Sequence, residues 1–414
     1  MQFFLGIDFG TSGARAIVID KATQIQAQAQ FSWTNSSNWT NSWREALFFL
    51  IEQIPQRIRQ QIRAIALNGT SATVLLCNTA GDPIDAPMFY DDGRGVEVME
   101  SVRAIAPPSH VVISATSSLS KLLWWHQKPI YSKATYFLHQ ADWLAFLLHG
   151  KLGISDYHNA LKLGYDTEKL CYPSWLTQLP IQPLLPQVVA PGTPVGKLKK
   201  EISQSYGFPS NCLVCSGTTD SIAAFLASGA NTPGEAVTSI GSTLVLKLLS
   251  KHRVEDSRYG IYSHRLGDLW LTGGASNTGG AVLRHFFNDE ELIKLSSEIN
   301  PDIPSNLDYY PLLQKGERFP INNPELLPQL EPRPDNKITF LHGLLESMAK
   351  IEARGYELLQ SLGATRLNQV YTAGGGARNA TWSAIRQRYL NVSVTPSQQT
   401  QAAYGTALLA KGNR

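Results

Sequence analysis

The sequence has little of several features that would assign a protein to a specialised class. Its 414 residues include four cysteines, and only Cys212 and Cys215 form a C-x-x-C pair, without the second pair or the nearby histidines of a zinc site. No run approaches the roughly 20 apolar residues of a membrane-spanning helix. A block of Lys and Arg is also missing and the net charge is only +3, so we expect neither a membrane nor a nucleic acid as partner.

What is present indicates a folded protein of two domains. Hydrophobic residues make up 43% of the chain and charged residues 17%, which is typical of globular proteins. The length exceeds what one ordinary hydrophobic core supports, so two domains are expected. The first residues already form an apolar strand without a basic leader, and with so few cysteines this predicts a cytoplasmic location. Because Cys212 and Cys215 lie in an apolar run, core packing is favoured over redox chemistry.

The first candidate site is a turn between two predicted strands near the start of the chain. An apolar run over residues 3–7 is too short for a helix, and residues 16–19 lead back as a second strand. The turn between them contains Asp8, Thr11, Ser12 and Arg15. Backbone N–H groups, hydroxyls and an arginine suit a phosphate, and the carboxylate suits Mg²⁺. The alternative is a carboxylate that caps its own turn, but such a turn has no need of Arg15.

The strand–turn pattern recurs along the chain and divides it into two α/β halves. Three further strands lead into turns rich in glycine and hydroxyl groups: residues 64–67 before Gly69-Thr70-Ser71, residues 213–215 before Gly217-Thr218-Thr219-Asp220, and residues 236–240 before Gly241-Ser242-Thr243. An amphipathic helix is predicted over about residues 338–362, and a strand over 370–373 precedes the glycines 374–376. The pattern predicts an N-terminal domain over residues 1–228 and a C-terminal domain over residues 229–414.

Single motifs leave alternatives open. Asp220 opens a predicted helix, where an acid commonly serves as an N-cap, but it also follows a strand end, where α/β proteins bind ligands and a general base can act. Asp92, in Tyr90-Asp91-Asp92-Gly93-Arg94, is by itself compatible with a solvated turn. The glycines 374–376 lack the final glycine and the later acid of a dinucleotide-binding fingerprint. They still allow the backbone to approach a ring or a phosphate closely.

Taken together, these motifs resemble those of the FGGY family of carbohydrate kinases, within the actin-like ATPase superfamily. The resemblance extends over nearly the whole chain and includes two later segments, Gly316-Glu317-Arg318 and Ala402-Ala403-Tyr404-Gly405-Thr406-Ala407. It implies an α/β fold of two ribonuclease-H-like domains with a cleft between them. It also implies that ATP and Mg²⁺ are used to phosphorylate a small sugar.

The resemblance assigns roles by matching position. Asp220 is implied to be the general base, and Asp8 and Thr11 complete the catalytic set, with Asp8 beside the metal. Thr11, Ser12 and Arg15 are implied to lie near the transferred phosphate. The remaining nucleotide contacts fall on Gly241, Ser242, Thr243, Gly375, Gly376 and Asn379. The sugar is implied to contact Asp8, Thr70, Ser71, Asp92 and Asp220.

The chain also departs from the family pattern. Xylulose kinases of the family carry Gly-Gln-Met-His at the substrate turn, whereas this chain has Gly69-Thr70-Ser71-Ala72. This difference favours D-ribulose over D-xylulose as the predicted acceptor. The shortened second domain predicts a monomer. The principal alternative function is an actin-like ATPase switch or pseudokinase that binds nucleotide without phosphorylating a sugar.

Overall fold

The computed structural model describes residues 2–34 and 36–412, which form two compact units. The first unit comprises residues 2–227 with 401–412, and the second comprises Ser228–Thr400. In the described part of the chain, no helix is both long enough and apolar enough to cross a membrane.

The first unit is built on a seven-stranded mixed sheet. Up to residue 227 the strands are β1 (Phe3–Phe9), β2 (Gly13–Asp20), β3 (Ile25–Ser32), β4 (Ile62–Gly69), β5 (Val74–Cys77), β6 (Tyr136–His139), β7 (Ile154–Asp156), β8 (Gln187–Val189), β9 (Pro194–Lys197), β10 (Leu213–Cys215) and β11 (Thr218–Thr219). The helices are α1 (Trp39–Gln53), α2 (Gln56–Arg59), α3 (Met99–Ile105), α4 (Ser118–His126), α5 (Gln140–His149), α6 (Tyr157–Ala160), α7 (Ser174–Thr177), α8 (Lys200–Tyr206) and α9 (Asp220–Ala227). The main sheet has the order β3-β2-β1-β4-β10-β9, with β11 also paired to β4.

The second unit contains a six-stranded sheet of related connectivity. Its strands are β12 (Glu235–Ile240), β13 (Leu244–Ser250), β14 (Tyr262–Leu266), β15 (Leu269–Ser276), β16 (Gln369–Gly374) and β17 (Ser393–Pro396). Its helices are α10 (Gly280–Phe286), α11 (Asp289–Ser297), α12 (Lys337–Ser361) and α13 (Ala380–Leu390). The strand order is β14-β15-β13-β12-β16-β17. In both sheets an antiparallel hairpin, β1–β2 or β12–β13, is followed by a parallel neighbour of its first strand, β4 or β16.

The last helix, α14 (Ala402–Lys411), belongs to the first unit. The predicted assignment of all residues after 228 to the second domain is therefore wrong for this helix. The reason is close packing of small residues. A Cβ atom on Gly6 of β1 would lie 2.1 Å from the carbonyl oxygen of Ala403, and one on Gly405 would lie 1.8 Å from that of Ala223. Such contacts join residues distant in the sequence, which local patterns do not reveal.

Strand β1 is buried along its whole length because both faces of the sheet are covered. Leu5 and Phe9 pack in the core that includes Trp43 of α1, whereas Phe4 packs with Ala407 of α14. A continuous apolar run is therefore what this central strand requires. The predicted α/β class and the long helix near residues 338–362 are confirmed.

The C-x-x-C pair lies in this interior. Cys212 and Cys215 are both buried and neither forms a disulfide. Burial, reinforced by the neighbouring Cys215, raises the pKa of the Cys212 thiol to about 12. The thiol therefore stays protonated at neutral pH, as the prediction of core packing requires.

Candidate active site

The first candidate turn joins β1 to β2, and a buried carboxylate lies on β1 just before it. The N–H of Gly10 donates to the carbonyl of Gly13 at 3.0 Å and closes the turn. Asp8 is only 4% exposed, while Thr11 and Ser12 are exposed at the tip of the turn. Asp8 also lies opposite Arg15 in the register of the hairpin. The predicted phosphate and metal residues therefore lie on one hairpin, with the acid inside and the hydroxyls outside.

The Asp8 carboxylate is in an unusual electrostatic environment. Burial, together with the negative charge of Asp220, raises the pKa of Asp8 to about 7, although Arg15 and the side chain of Asn68 oppose the shift. Asn68 lies beside Asp8 in the register of β4 and donates from Nδ2 to Thr406 Oγ1 at 2.6 Å. Asp8 Oδ1 is buried and accepts no hydrogen bond from the residues that the structure describes. One carboxylate oxygen is therefore available to a ligand.

Asp220 is brought to the same sheet edge by the neighbouring strands. The short strand β11 runs parallel to β4, with Thr218 opposite Asn68, and Asp220 follows directly as the first residue of α9. The N–H of Ser221 donates to Asp220 Oδ1 at 2.7 Å. Because β1, β4 and β11 end together, Asp8 and Asp220 lie near enough to interact electrostatically. The fold thus brings together two carboxylates that are more than 200 residues apart in the sequence.

The predicted substrate turn follows β4 and is held internally. The Thr70 hydroxyl lies 2.5 Å from that of Thr73, and its backbone N–H donates to Gln140 Oε1 at 3.0 Å. Thr70 is only 6% exposed, whereas Ser71 is half-buried. The Thr70 hydroxyl is thus engaged in shaping the turn, and Ser71 is the more accessible of the two residues predicted to contact the sugar.

Asp92 lies on the segment after Phe89 and is half-buried. Burial tends to raise the pKa of Asp92, but hydrogen bonds and positive charge from Arg94, together with the charge of Lys121, lower it below its ordinary value. The Arg94 guanidinium makes a 2.7 Å contact with Asp92 and lies 4.9 Å from the ring centroid of Trp124. Asp92 is therefore ionised and fixed in orientation, as a carboxylate that accepts hydrogen bonds from a polyol needs to be.

The second unit presents the second candidate turn, between β12 and β13. The N–H of Gly241 donates to the carbonyl of Thr243 at 3.2 Å, while Gly280 N donates to the carbonyl of Gly241 at 2.9 Å. The exposed Ser242 accepts a hydrogen bond from Arg284 Nη2 at 3.3 Å. Hydroxyl groups, amides and a guanidinium surround this turn, which suits an anionic ligand.

A cavity of about 390 Å³ begins beside this turn, within the second unit. Its lining includes Ile240, Gly280, Ser296, Gly375, Gly376 and Asn379. Asn379 caps α13 by accepting from Trp382 N at 2.9 Å and donates from Nδ2 to Ser296 at 2.8 Å. The cavity therefore unites the glycines and the asparagine that the sequence predicted for the nucleoside, and its volume suits a small molecule.

A model of the N-terminal domain of the FGGY family of carbohydrate kinases matches residues 3–227, more than half of the chain. The chain belongs to the FGGY family of carbohydrate kinases. It is therefore a sugar kinase, an enzyme that transfers a phosphoryl group to an alcohol group of a carbohydrate.

Individual relatives match over almost the whole chain. A xylulose kinase from Staphylococcus xylosus is 22% identical over 450 residues, which cover 99% of this chain and 90% of that protein. An autoinducer-2 kinase from Yersinia enterocolitica is 24% identical over 466 residues, covering 99% and 86%. The solved structure of a xylulose kinase from Rhodospirillum rubrum superposes with a TM-score of 0.83 at 21% identity, covering 99% of this chain and 89% of that one. The predicted fold of two actin-like ATPase domains is thereby confirmed.

Several residues around the site were missed by sequence reasoning. Neither Asn68 nor Gln140 was singled out, yet both contact the predicted site residues. His158 Nδ1 lies 2.7 Å from the hydroxyl of Thr218, just before Asp220. Lys121, which is fully buried, lies within a Leu- and Trp-rich helix. A lysine at an apolar position of a helix is a detectable signal, but its partners depend on the fold.

Proposed function

We propose that the protein transfers the γ-phosphoryl group of ATP to the primary hydroxyl group of a free ketopentose. The observation that carries the proposal is the pair of carboxylates at one edge of the first sheet. Asp220 lies near enough to the buried Asp8 for its charge to raise the pKa of Asp8. Transfer to a hydroxyl group uses one carboxylate for the proton and another for the cation. A protein that only binds nucleotide requires no base on the acceptor side.

Asp220 is the proposed general base. Its position at the start of α9 leaves the carboxylate half exposed, and the N–H of Ser221 fixes one of its oxygens at 2.7 Å. A carboxylate held in this way aligns the acceptor hydroxyl group and accepts its proton as the new O–P bond forms. Ser71 and Asp92 are proposed to bind the other hydroxyl groups of the sugar, with Thr70 shaping the turn beneath them.

Asp8 fits a role beside Mg²⁺. In proteins Mg²⁺ commonly takes one or two carboxylates and completes its shell with water and phosphate oxygens, so a cluster of protein ligands is not required. The buried Asp8 Oδ1, without a hydrogen-bond donor among the described residues, offers such an oxygen. When bound, the cation supplies charge neutralisation to the transferring phosphoryl group. The exposed Thr11, Ser12 and Arg15 are proposed to contact that group.

The second unit is proposed to bind the nucleotide. The turn Gly241-Ser242-Thr243 offers backbone amides and hydroxyls for the β- and γ-phosphates. The 390 Å³ cavity beside it, bordered by Gly375, Gly376 and Asn379, is proposed to hold the adenosine. Both regions meet at Ile240, the last residue of β12, which lines the cavity and directly precedes the turn.

Two ketopentoses are separate candidates for the acceptor. The stretch Thr70-Ser71-Ala72, which stands where the xylulose-type turn has Gln-Met-His, led to the prediction of D-ribulose. The names of the relatives support D-xylulose, since the Staphylococcus xylosus protein is a xylulose kinase. The choice between these epimers rests on contacts with one hydroxyl group, and a direct comparison decides it.

The test is release of ADP by the purified protein with ATP and Mg²⁺, measured against ketopentoses, aldopentoses and polyols, and without any sugar. We expect ketopentoses to stimulate ADP release by about 100-fold or more over the reaction without sugar. Mass spectrometry of the product then shows one added phosphate group.

Two outcomes contradict the proposal. Equal ADP release with and without every sugar supports the ATPase-switch alternative. Stimulation by polyols or aldopentoses but by no ketopentose retains the kinase and overturns the substrate class.

A further inference from the structure

A buried lysine lies behind the proposed sugar site and has no role in the chemistry described above. Lys121, on α4, has a relative exposure of 0%. Lysine is rarely buried to this extent, because its ammonium group loses hydration that the interior must replace. Burial accordingly lowers the pKa of Lys121 to about 7.

The contacts of Lys121 join two separate loops. Its Nζ donates to the carbonyl of Ala72 at 2.7 Å and to that of Phe89 at 2.5 Å. Ala72 follows Thr70 and Ser71, while Phe89 precedes the segment that contains Asp92. A lysine side chain has at least two N–H donors in either protonation state, so both hydrogen bonds persist when it loses its proton. One side chain therefore connects the two loops to which sugar contacts are assigned.

The turn that Lys121 holds is conformationally strained. Ala72 has a φ of 62°, in the left-handed region that non-glycine residues seldom occupy. Such a conformation is unfavourable for a residue with a Cβ atom and persists only where surrounding contacts impose it. The hydrogen bond from Lys121 to the carbonyl of Ala72 is one such contact.

We propose that Lys121 is a positioning residue for the acceptor sugar: it fixes the turn at residues 69–73 relative to the segment at 89–94, and so sets the spacing of Ser71 and Asp92. The inference rests on the proposed function and assigns no chemical step to Lys121. It predicts that loss of these two hydrogen bonds weakens sugar binding selectively, because the nucleotide residues of the second unit are unaffected.

The test compares Lys121→Met with Leu122→Ala. Methionine is similar in length but donates no hydrogen bond, so the carbonyls of Ala72 and Phe89 lose this donor. Leu122, the next residue on α4, is also fully buried, and its truncation leaves a cavity in the core but removes neither hydrogen bond. We expect Lys121→Met to raise the KM for the ketopentose by about tenfold or more. Its KM for ATP should stay within about twofold of the wild-type value.

The two variants separate positioning from general stability. Leu122→Ala is expected to lower the Tm more than Lys121→Met does, yet to leave the KM for the sugar nearly unchanged. An equal rise of this KM in both variants, or an unchanged KM in Lys121→Met, overturns the proposal. If Lys121→Met does not fold, Lys121→Leu, which likewise donates no hydrogen bond, is used, and a sugar KM equal to that of the wild-type protein then contradicts the inference.

The wild-type protein is measured first. If it shows no ketopentose-dependent ADP release, the proposed function fails. If it shows such release and the Lys121 variants retain the wild-type sugar KM, only the positioning role fails.

Discussion

The turns of the two central hairpins occupy equivalent places in their sheets but differ in charge. The first, between β1 and β2, follows the buried Asp8 of β1, whose pKa is raised to about 7, chiefly by burial and by the charge of Asp220. The second, between β12 and β13, is uncharged and consists of Gly241, Ser242 and Thr243. The same scaffold thus presents carboxylates in one unit and amides and hydroxyls in the other.

The second unit also contains a buried acid, but this acid lies away from the turn and is neutralised by an arginine. Glu352 forms two hydrogen bonds with the Arg386 guanidinium, at 2.6 and 2.7 Å, and both side chains are 1% exposed. Glu352 also accepts a hydrogen bond from Thr238 on β12. Arg386 donates to Thr372 on β16 at 2.7 Å. A buried acid that is paired with its own cation, such as Glu352, therefore braces the strands around it. A buried acid at a strand end whose charge is not fully neutralised, such as Asp8, is instead available for chemistry.

The largest expected effect is on the paired acid. Glu352→Gln leaves the Arg386 charge buried without its counter-ion, which should lower the free energy of unfolding by about 3–5 kcal/mol, measured by chemical denaturation. A matched control is Glu255→Gln, which removes a surface partner of Arg253 and should cost less than about 1 kcal/mol. A loss as small as that of the control would show that the buried pair does not brace the unit.

Asp8 should behave in the opposite way. Asp8→Asn should lower kcat by about 100-fold or more, because charge stabilisation at the transferring phosphoryl group is lost. The folded state should be retained, since this substitution removes a destabilising buried charge. The check is the dependence of the rate on Mg²⁺ concentration, and an unchanged dependence would contradict a role for Asp8 beside the cation.

The pH dependence of stability tests the buried lysine of the first unit, Lys121. The native pKa of Lys121 is lowered to about 7 from an ordinary value of 10.5, with Asp92, Lys162, Asp91 and Arg94 as the charged neighbours. Between these values the unfolded state binds more protons, so the free energy of unfolding of the wild-type protein should rise with pH relative to that of Lys121→Met. The slope is at most about 1.4 kcal/mol per pH unit. Denaturation at several pH values measures it, and a difference that stays constant or falls would contradict the lowered pKa.

The smallest effect is expected at the nucleoside cavity. Asn379→Ala removes the cap of α13 and part of the cavity wall, which should cost about 1 kcal/mol and raise the KM for ATP severalfold. Asn336→Ala removes the comparable cap of α12, where Asn336 accepts from Ile338 and Thr339, without touching the cavity. Steady-state kinetics on both variants should show a raised KM for ATP only in the first. A rise in both would attribute the effect to helix capping.

The sequence predicts those parts of the molecule that local pattern determines. Apolar runs ending in turns of glycine and hydroxyl residues located both hairpins, because the period of a buried strand and the geometry of a tight turn depend on neighbouring residues. The nucleotide contacts of Gly375, Gly376 and Asn379 were implied by the resemblance to the FGGY family and not by local pattern, and these residues line the cavity of the second unit.

The remaining features depend on contacts between distant residues. Helix α14 joins the first unit because Gly6 and Gly405 permit close backbone approach, which no local pattern shows. The Thr70 hydroxyl was predicted to contact the sugar. Its proximity to Gln140, which lies 70 residues away in the sequence, becomes visible only once α5 is packed against the turn. Lys121 escaped notice for the same reason, since its partners lie 49 and 32 residues away.

The proposed role of Asp220 is to direct phosphoryl transfer to a sugar hydroxyl group while the second unit holds the nucleotide. The most direct test is Asp220→Asn, assayed for ketopentose-dependent ADP release and, by calorimetry, for binding of a non-hydrolysable ATP analogue with Mg²⁺. The account predicts that sugar-dependent release falls by about 1,000-fold while the affinity for the analogue stays within about threefold of the wild-type value. Sugar phosphorylation at nearly the wild-type rate would contradict it.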